Sequence, residues 1–157
     1  MKFTCVDVRE FTLGINPAEL TTAQEKGVRL IRSKSGKMIP MFYKKARSVQ
    51  NEKLIDFALK PYAGLGVKND GDTAIDLEIT YFFPHTSGTP KWKLDQLTFM
   101  TQRPDADNIS KALVDRMTAN RFWDDDSMVN FRFRKYRWKK PHIKVKIEVW
   151  RQEKETV

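Results

Sequence analysis

Residues 103–129 read RPDADNISKALVDRMTANRFWDDDSMV. The stretch divides into an acidic entry at Asp105-Ala106-Asp107-Asn108, a periodic middle, and an aromatic return that ends in Asp124, Asp125 and Asp126. In the middle, Ile109, Ala112, Leu113 and Met117 recur at helical intervals. That spacing predicts a helix over residues 107–119 with one apolar stripe, ended by Asn120 and Arg121. Six of the chain's 20 acids fall between Asp105 and Asp126, although the formal net charge is +9.

On the C-terminal side, residues 128–138 and 142–150 read as strands. In the second, Ile143, Val145, Ile147 and Val149 alternate with Lys144, Lys146 and Glu148. Lys139, Lys140 and Pro141 lie between, which predicts that the two strands form a hairpin. On the N-terminal side, AIDLEITYFF (74–83) alternates as a strand with one buried face, preceded by a tight turn at NDGD (69–72). Residues 43–59 suggest a second helix, with Ala46, Val49, Leu54, Phe57 and Ala58 on its apolar side and Pro61 as its stop. Residues 2–8 read as a short strand, and RSKSGKMI (32–39) as a turn at Ser35 and Gly36 between extended pieces. Residues 84–103 carry too little periodicity to assign, and 151–157 read as a frayed tail. The sum is a single α/β domain of the α+β type over residues 1–157: a mixed or mainly antiparallel sheet with two principal helices packed on it.

A chain of 157 residues, 40% apolar and 31% charged, has the composition of one soluble globular domain. Its first residues carry charges at Lys2, Asp7, Arg9 and Glu10 and no apolar signal region, and no apolar run approaches membrane-spanning length. These features imply a cytosolic protein without a membrane partner. Cys5 is the only cysteine, so an intramolecular disulfide is excluded and nothing points to a thiolate metal site. A strongly positive field attracts polyanions whatever the fold, and nucleic acid is the leading partner. From Ser127 to Ile147 there are eight basic residues and no acid, among them Arg132, Arg134, Lys135, Arg137, Lys139 and Lys140. A second basic stretch, 26–47, includes Lys34 and Lys37.

Each acidic group alone has a bland reading as a helix cap or a turn. An EF-hand is excluded, because Ile109 and Ser110 stand where such a loop needs an oxygen ligand and a glycine. Together they carry more. A helix over 107–119 rises about 18 Å, and the steps from Ala119 to Asp126 span at most about 25 Å. An extended return segment could therefore bring Asp126 back to Asp105 and Asp107. Carboxylates crowded in that way repel one another unless a cation joins them. Oxygen ligands with no cysteine or histidine nearby suit Mg²⁺ or Mn²⁺ and reject zinc and copper. Lys111 lies one helical turn after Asp107, and Asp115 one turn further. An ammonium there can hold a phosphate oxygen, with Asp115 orienting it.

The 103–129 stretch resembles the signature of the RusA-type Holliday junction resolvases, small endodeoxyribonucleases common in bacterial phages and prophages. The shared features are an acid, any residue, Asp-Asn, a lysine four residues after that Asp, a helix, and an aromatic-rich F-W-x-D-D-S/A-x-V. The resemblance implies metal ligation by Asp105, Asp107 and Asp126 with Asp125 beside them, and catalysis by those three aspartates and Lys111. It implies Mg²⁺ as cofactor, with Mn²⁺ able to substitute, and a homodimer acting on four-way junctions. Ser127 and Val129 set the register, leaving Asp124 at a variable position. Arg103, the basic residues of 132–140, Lys34 and Lys37 are then expected to hold DNA phosphates. Two other readings stand beside this: a nuclease for forks, flaps or packaging intermediates, and a module that binds junctions without cutting. Phe122, Trp123, Phe131, Phe133, Trp138 and Trp150 are expected in the core or an interface, with Phe122 and Trp123 anchoring the return segment.

Overall fold

In the computed structural model, residues 2–20, 26–68 and 70–153 are described. In chain order the elements are β1 (Phe3–Leu13), β2 (Lys26–Arg32), β3 (Met38–Lys44), α1 (Ala46–Leu59), β4 (Thr73–Phe83), β5 (Thr98–Phe99), α2 (Ala106–Ala119), β6 (Val129–Arg137) and β7 (His142–Gln152). Five strands form one sheet in the order β1-β7-β4-β6-β5, and β2 and β3 form a separate hairpin. The architecture is thus α/β with a mixed sheet and two helices, as the alternation of patterns predicts. Neither helix is long and apolar enough to cross a membrane.

Residues 103–129 contain the crossover helix of a βαβ unit. β4 leads through α2 into β6, and β6 runs parallel to β4, with Ile75 opposite Val129 and Phe83 opposite Arg137. The predicted apolar stripe of α2 is buried: Ile109, Leu113 and Met117 are inaccessible and Ala112 nearly so. They meet the inward face of β4, where Ile75, Leu77, Ile79 and Tyr81 are also inaccessible. One side of the sheet is covered in this way, while Asp76, Glu78 and Phe82 lie on the other, at alternate positions and half-buried.

The predicted β6–β7 hairpin is not formed. β4 lies between the two strands, antiparallel to β7, and Lys139, Lys140 and Pro141 belong to a connection that passes across its end. Two strand spacings are roughly 10 Å, within the roughly 17 Å that the five steps from Arg137 to His142 can span. The apolar face of β7 decides the matter. Ile143, Val145, Ile147 and Val149 are buried because β7 has a partner on each edge, β1 and β4. A hairpin outside β6 would have left β7 at the sheet margin.

Several boundaries differ from the pattern reading. β1 extends to Leu13 rather than ending near residue 8, since Phe11 and Leu13 turn inward. β7 continues to Gln152, into the expected tail, and Glu153 donates its N–H to Lys2; residues 154–157 and Asn69 lie outside the described residues. The turn at Ser35 and Gly36 closes the β2–β3 hairpin, with Gly36 at φ +79. Residues 43 and 44 belong to β3, so α1 begins at Ala46. The apolar side expected for α1 is also revised. Asn51, Ile55 and Leu59 face the core, whereas Val49 and Leu54 are exposed and Phe57 is 79% exposed. Only the Ile55 and Leu59 side lies against the sheet layer, and helical period alone does not choose between two partly apolar faces.

α1 is joined to the last turn of α2 by a polar cluster. Arg116 donates from Nε and Nη2 to the two oxygens of Asp56, both at 2.7 Å, and Asn120 Nδ2 donates to Asp56 Oδ1 at 2.8 Å and to the Arg116 carbonyl at 2.7 Å. Burial pushes the Asp56 carboxyl up, but the hydrogen bonds from Arg116 and Asn120 and the guanidinium charge outweigh it and hold it below its ordinary value. A carboxyl depressed in the folded state adds stability above the unfolded-state pKa and loses it as pH falls. Asp56→Ala is expected to destabilise by about 1–2 kcal/mol near neutral pH. In thermal melts followed from pH 7 to pH 2, the gap between variant and wild type should shrink below about pH 4.

Candidate active site

The first turn of α2 presents Asp105 and Asp107, both exposed. Asp105 is the N-cap residue with extended backbone, yet its side chain makes no capping hydrogen bond. The carboxylate is therefore not used as a cap, the bland role open to it in the sequence. The turn is positioned from below: buried Tyr81 of β4 donates to Ser110 Oγ at 2.9 Å, and Ser110 Oγ donates to the Ala106 carbonyl at 2.5 Å. Ser110 is inaccessible, and burial raises the Tyr81 phenol well above its ordinary pKa, so it stays a donor. From the side, Lys135 Nζ of β6 donates to the carbonyls of Gln102 and Pro104, each at 2.8 Å. Lys111, one turn on, is exposed and pairs with Asp115 at 3.8 Å.

The second acidic group lies at the other end of the same helix. Asp124, Asp125 and Asp126 line an open cavity of about 380 Å³ with Asp115, Thr118 and Ala119. Hydrogen bonds from Ser127, led by its backbone N–H at 2.8 Å, hold the Asp125 carboxyl below the usual carboxylate range. Asp126 opens a short 3-10 turn, Asp126–Met128, that runs directly into β6.

The expected convergence of Asp126 with Asp105 and Asp107 does not occur within one chain. Among the described residues no three carboxylate, imidazole or thiolate groups are arranged to hold a metal ion. From Asp105 to Asp115 the helix alone rises about 15 Å. The return along α2 is made by β6 instead of by residues 120–126, and those residues are used to turn the chain. Arg121 takes a left-handed conformation, φ +63. Phe122 and Trp123 are buried as expected, and they pin the turn: Val67 donates its N–H to the Phe122 carbonyl, and Trp123 Nε1 donates to Thr118 Oγ1 at 2.7 Å. Gly66 packs so closely beneath that a Cβ there would lie 2.5 Å from the Arg121 carbonyl oxygen. The residues of one chain thus do not fit a divalent cation held by Asp105, Asp107 and Asp126 together.

The basic residues divide by environment. Arg132 forms a two-pronged contact with Asp76, and Arg134 pairs with Glu78 at 3.4 Å. Arg137 donates to the Pro84 carbonyl and the Gln102 side chain, and Lys139 pairs with Asp95 at 2.8 Å. Arg103 is exposed in the loop before α2, Lys140 in the β6–β7 connection, and Lys34 and Lys37 at the tip of the β2–β3 hairpin. Of the expected core aromatics, Phe131 is 40% exposed, and Trp138 and Trp150 are half-buried. Sequence pattern did not reveal the Tyr81–Ser110 support, because a serine inside an apolar helix face gives no signal of the hydroxyl across from it.

The protein is thus a basic α/β domain with acids at both ends of one crossover helix. Its family follows from comparison with known proteins: the family description "Endodeoxyribonuclease RusA" matches residues 22–148, and the chain belongs to the RusA endodeoxyribonuclease family. Members of the family act on branched DNA junctions. Comparison with curated proteins finds no match.

Two substitutions probe the supports of the site. Ser110→Ala strands a buried phenol and is expected to cost about 1–3 kcal/mol, more than Tyr81→Phe at about 1 kcal/mol; denaturant unfolding gives the order. Gly66→Ala should shift the backbone of 121–126, read as amide shift changes confined to that segment, and lower the melting temperature.

Proposed function

We propose that this protein is a Mg²⁺-dependent, structure-selective endonuclease that resolves four-way DNA junctions as a homodimer, with Mn²⁺ able to replace Mg²⁺. The observation that carries the reading is the family match spanning the acidic motif and its lysine. The uncommitted carboxylate of Asp105 supports it. So does the separation of the acids into two groups, since a second copy of the chain can bring its Asp125 and Asp126 to the Asp105 and Asp107 of the first. Exposed apolar side chains are available for that association: Val28, Leu30 and Phe42 of the hairpin and Phe57 of α1 are well exposed, and a two-stranded hairpin alone is marginally stable in water.

When bound, the cation supplies charge neutralisation and a more acidic water at the scissile phosphate. The chain's own residues do the rest. Asp105 and Asp107, on the rigid first turn of α2, offer hard oxygen donors. Lys111, oriented by Asp115, places a positive charge where negative charge develops on the phosphate. Arg103, Lys140, Lys34 and Lys37 contact flanking phosphates directly, and Arg132, Arg134 and Lys139 exchange their acidic partners for DNA at modest cost, since exposed ion pairs contribute little. Lys135 and Arg137 keep their carbonyl partners and add positive charge beside the phosphates.

Asp107→Asn is expected to abolish nicking of a four-way junction in Mg²⁺ while leaving junction affinity within about twofold. Mixing separates a shared site from one within a chain. Asp107→Asn and Asp126→Asn are each inactive alone; if each site draws on both chains, their heterodimer has one intact site and nicks one strand. Mn²⁺ binding followed by electron paramagnetic resonance should recover in parallel. A mixture that stays inactive and binds no Mn²⁺ would refute the shared site.

A further inference from the structure

The uncovered face of the sheet carries a row of four aromatic rings. Phe99 of β5 is opposite Tyr136 of β6, Tyr136 is opposite Phe82 of β4, and Phe82 is opposite His142 of β7. Ring centroids are 5.2, 5.9 and 4.2 Å apart in that order, with interplanar angles of 35°, 26° and 10°. The His142 ring is fixed by a 2.7 Å hydrogen bond between Nδ1 and the Lys140 carbonyl. The row stops at Phe99, which is 78% exposed on a strand of two residues at the sheet margin. A ring left so bare serves no core.

Beside Phe99 the structure opens into a cleft of about 390 Å³, whose walls include Phe99, Tyr136, Arg134, Lys135 and Ala106. Ala106 stands between Asp105 and Asp107. The next row on the same face is Arg134, Thr80 and Lys144, and Lys139 and Lys140 lie in the connection beyond the ladder. Glu78, Glu10 and Asp95 are each paired with one of these cations. The surroundings therefore offer a planar apolar surface, cations for phosphates, and room for one more ring.

We propose that Phe99 and the cleft beside it are a stacking site for an unpaired DNA base, which continues the row formed by Tyr136, Phe82 and His142. The assignment rests on DNA being the substrate and adds to that reading the feature recognised: a base out of its duplex at the branch. Any base has a π face, so the site is tolerant of sequence. A base held in the cleft lies against Ala106, the first residue of α2, whose chain neighbours are Asp105 and Asp107.

The test uses the full-length protein with three probes: a fluorescent oligothymidylate, a four-way junction carrying 2-aminopurine at the branch, and a fully paired duplex. Stacking one base on an aromatic side chain strengthens binding by roughly five- to a hundredfold. Phe99→Ala is expected to weaken oligothymidylate and junction binding about tenfold, to abolish 2-aminopurine quenching, and to leave duplex affinity within about twofold; Phe99→Trp should retain all three. Phe99 is too exposed for loss of folding to explain such a result. Unchanged single-strand affinity, or an equal loss on duplex, overturns the stacking site. A change in oligomeric mass on Phe99→Ala, by light scattering, also overturns it and assigns the face to another copy of the chain. If wild type nicks junctions while Phe99→Ala binds single strands normally, the stacking site fails and the nuclease stands. If Phe99-dependent single-strand binding occurs without cleavage of any branched DNA, the nuclease fails and the stacking site stands.

Discussion

Burial of the apolar stripe of α2 against the inner face of β4 governs the rest of the molecule. Ile109, Leu113 and Met117 lose contact with water only if the helix lies along the sheet. A crossover helix placed so must deliver the next strand parallel to the one before it. β6 therefore begins beside the start of β4, at the C-terminal end of α2, and returns to its N-terminal end. That geometry sends Asp105 and Asp107 out at one end of the helix and gathers Asp124, Asp125 and Asp126 at the other.

The same constraint explains how rigid each acidic group is. The first turn of α2 is held through Ser110 to Tyr81 and through Lys135 to the preceding loop. The last turn is held through Arg116 and Asn120 to Asp56, and the exit through Phe122 and Trp123. Carboxylates gathered on one short segment gain most from supports of this kind, because repulsion between them otherwise favours disorder. The covered face of the sheet does this holding. The open face carries the aromatic row and the paired charges.

A positive total charge conceals this division of labour. Much of the positive charge on β6 faces acids on β4 and β7, so Arg132 and Arg134 are partly neutralised where they stand. The cations of the loop before α2, the β6–β7 connection and the hairpin tip project from connecting segments instead. A linear count of eight basic residues between Ser127 and Ile147 cannot separate the two sorts, since the acids that pair with them are distant in sequence.

Local chemistry in the sequence determined the existence of α2 and its buried face, the strand character of 74–83 and 142–150, the turn at Gly36, and the family signature in 103–129, because each depends on residues within a few positions of one another. Tertiary structure decided the placements. β7 leaves β6 for the far side of β4 because a fully apolar face is better served with a partner on each edge, a choice set by strands some 70 residues apart in the chain. The exposed side of α1 was equally unreadable, as Phe57 and Ile55 are both apolar and only the position of the sheet distinguishes them. The two acidic groups, close in sequence and compatible in reach, are kept apart because the segment between them is consumed in a turn and β6 makes the journey back. Chain length limits which residues can meet; packing selects among the arrangements that the limit allows.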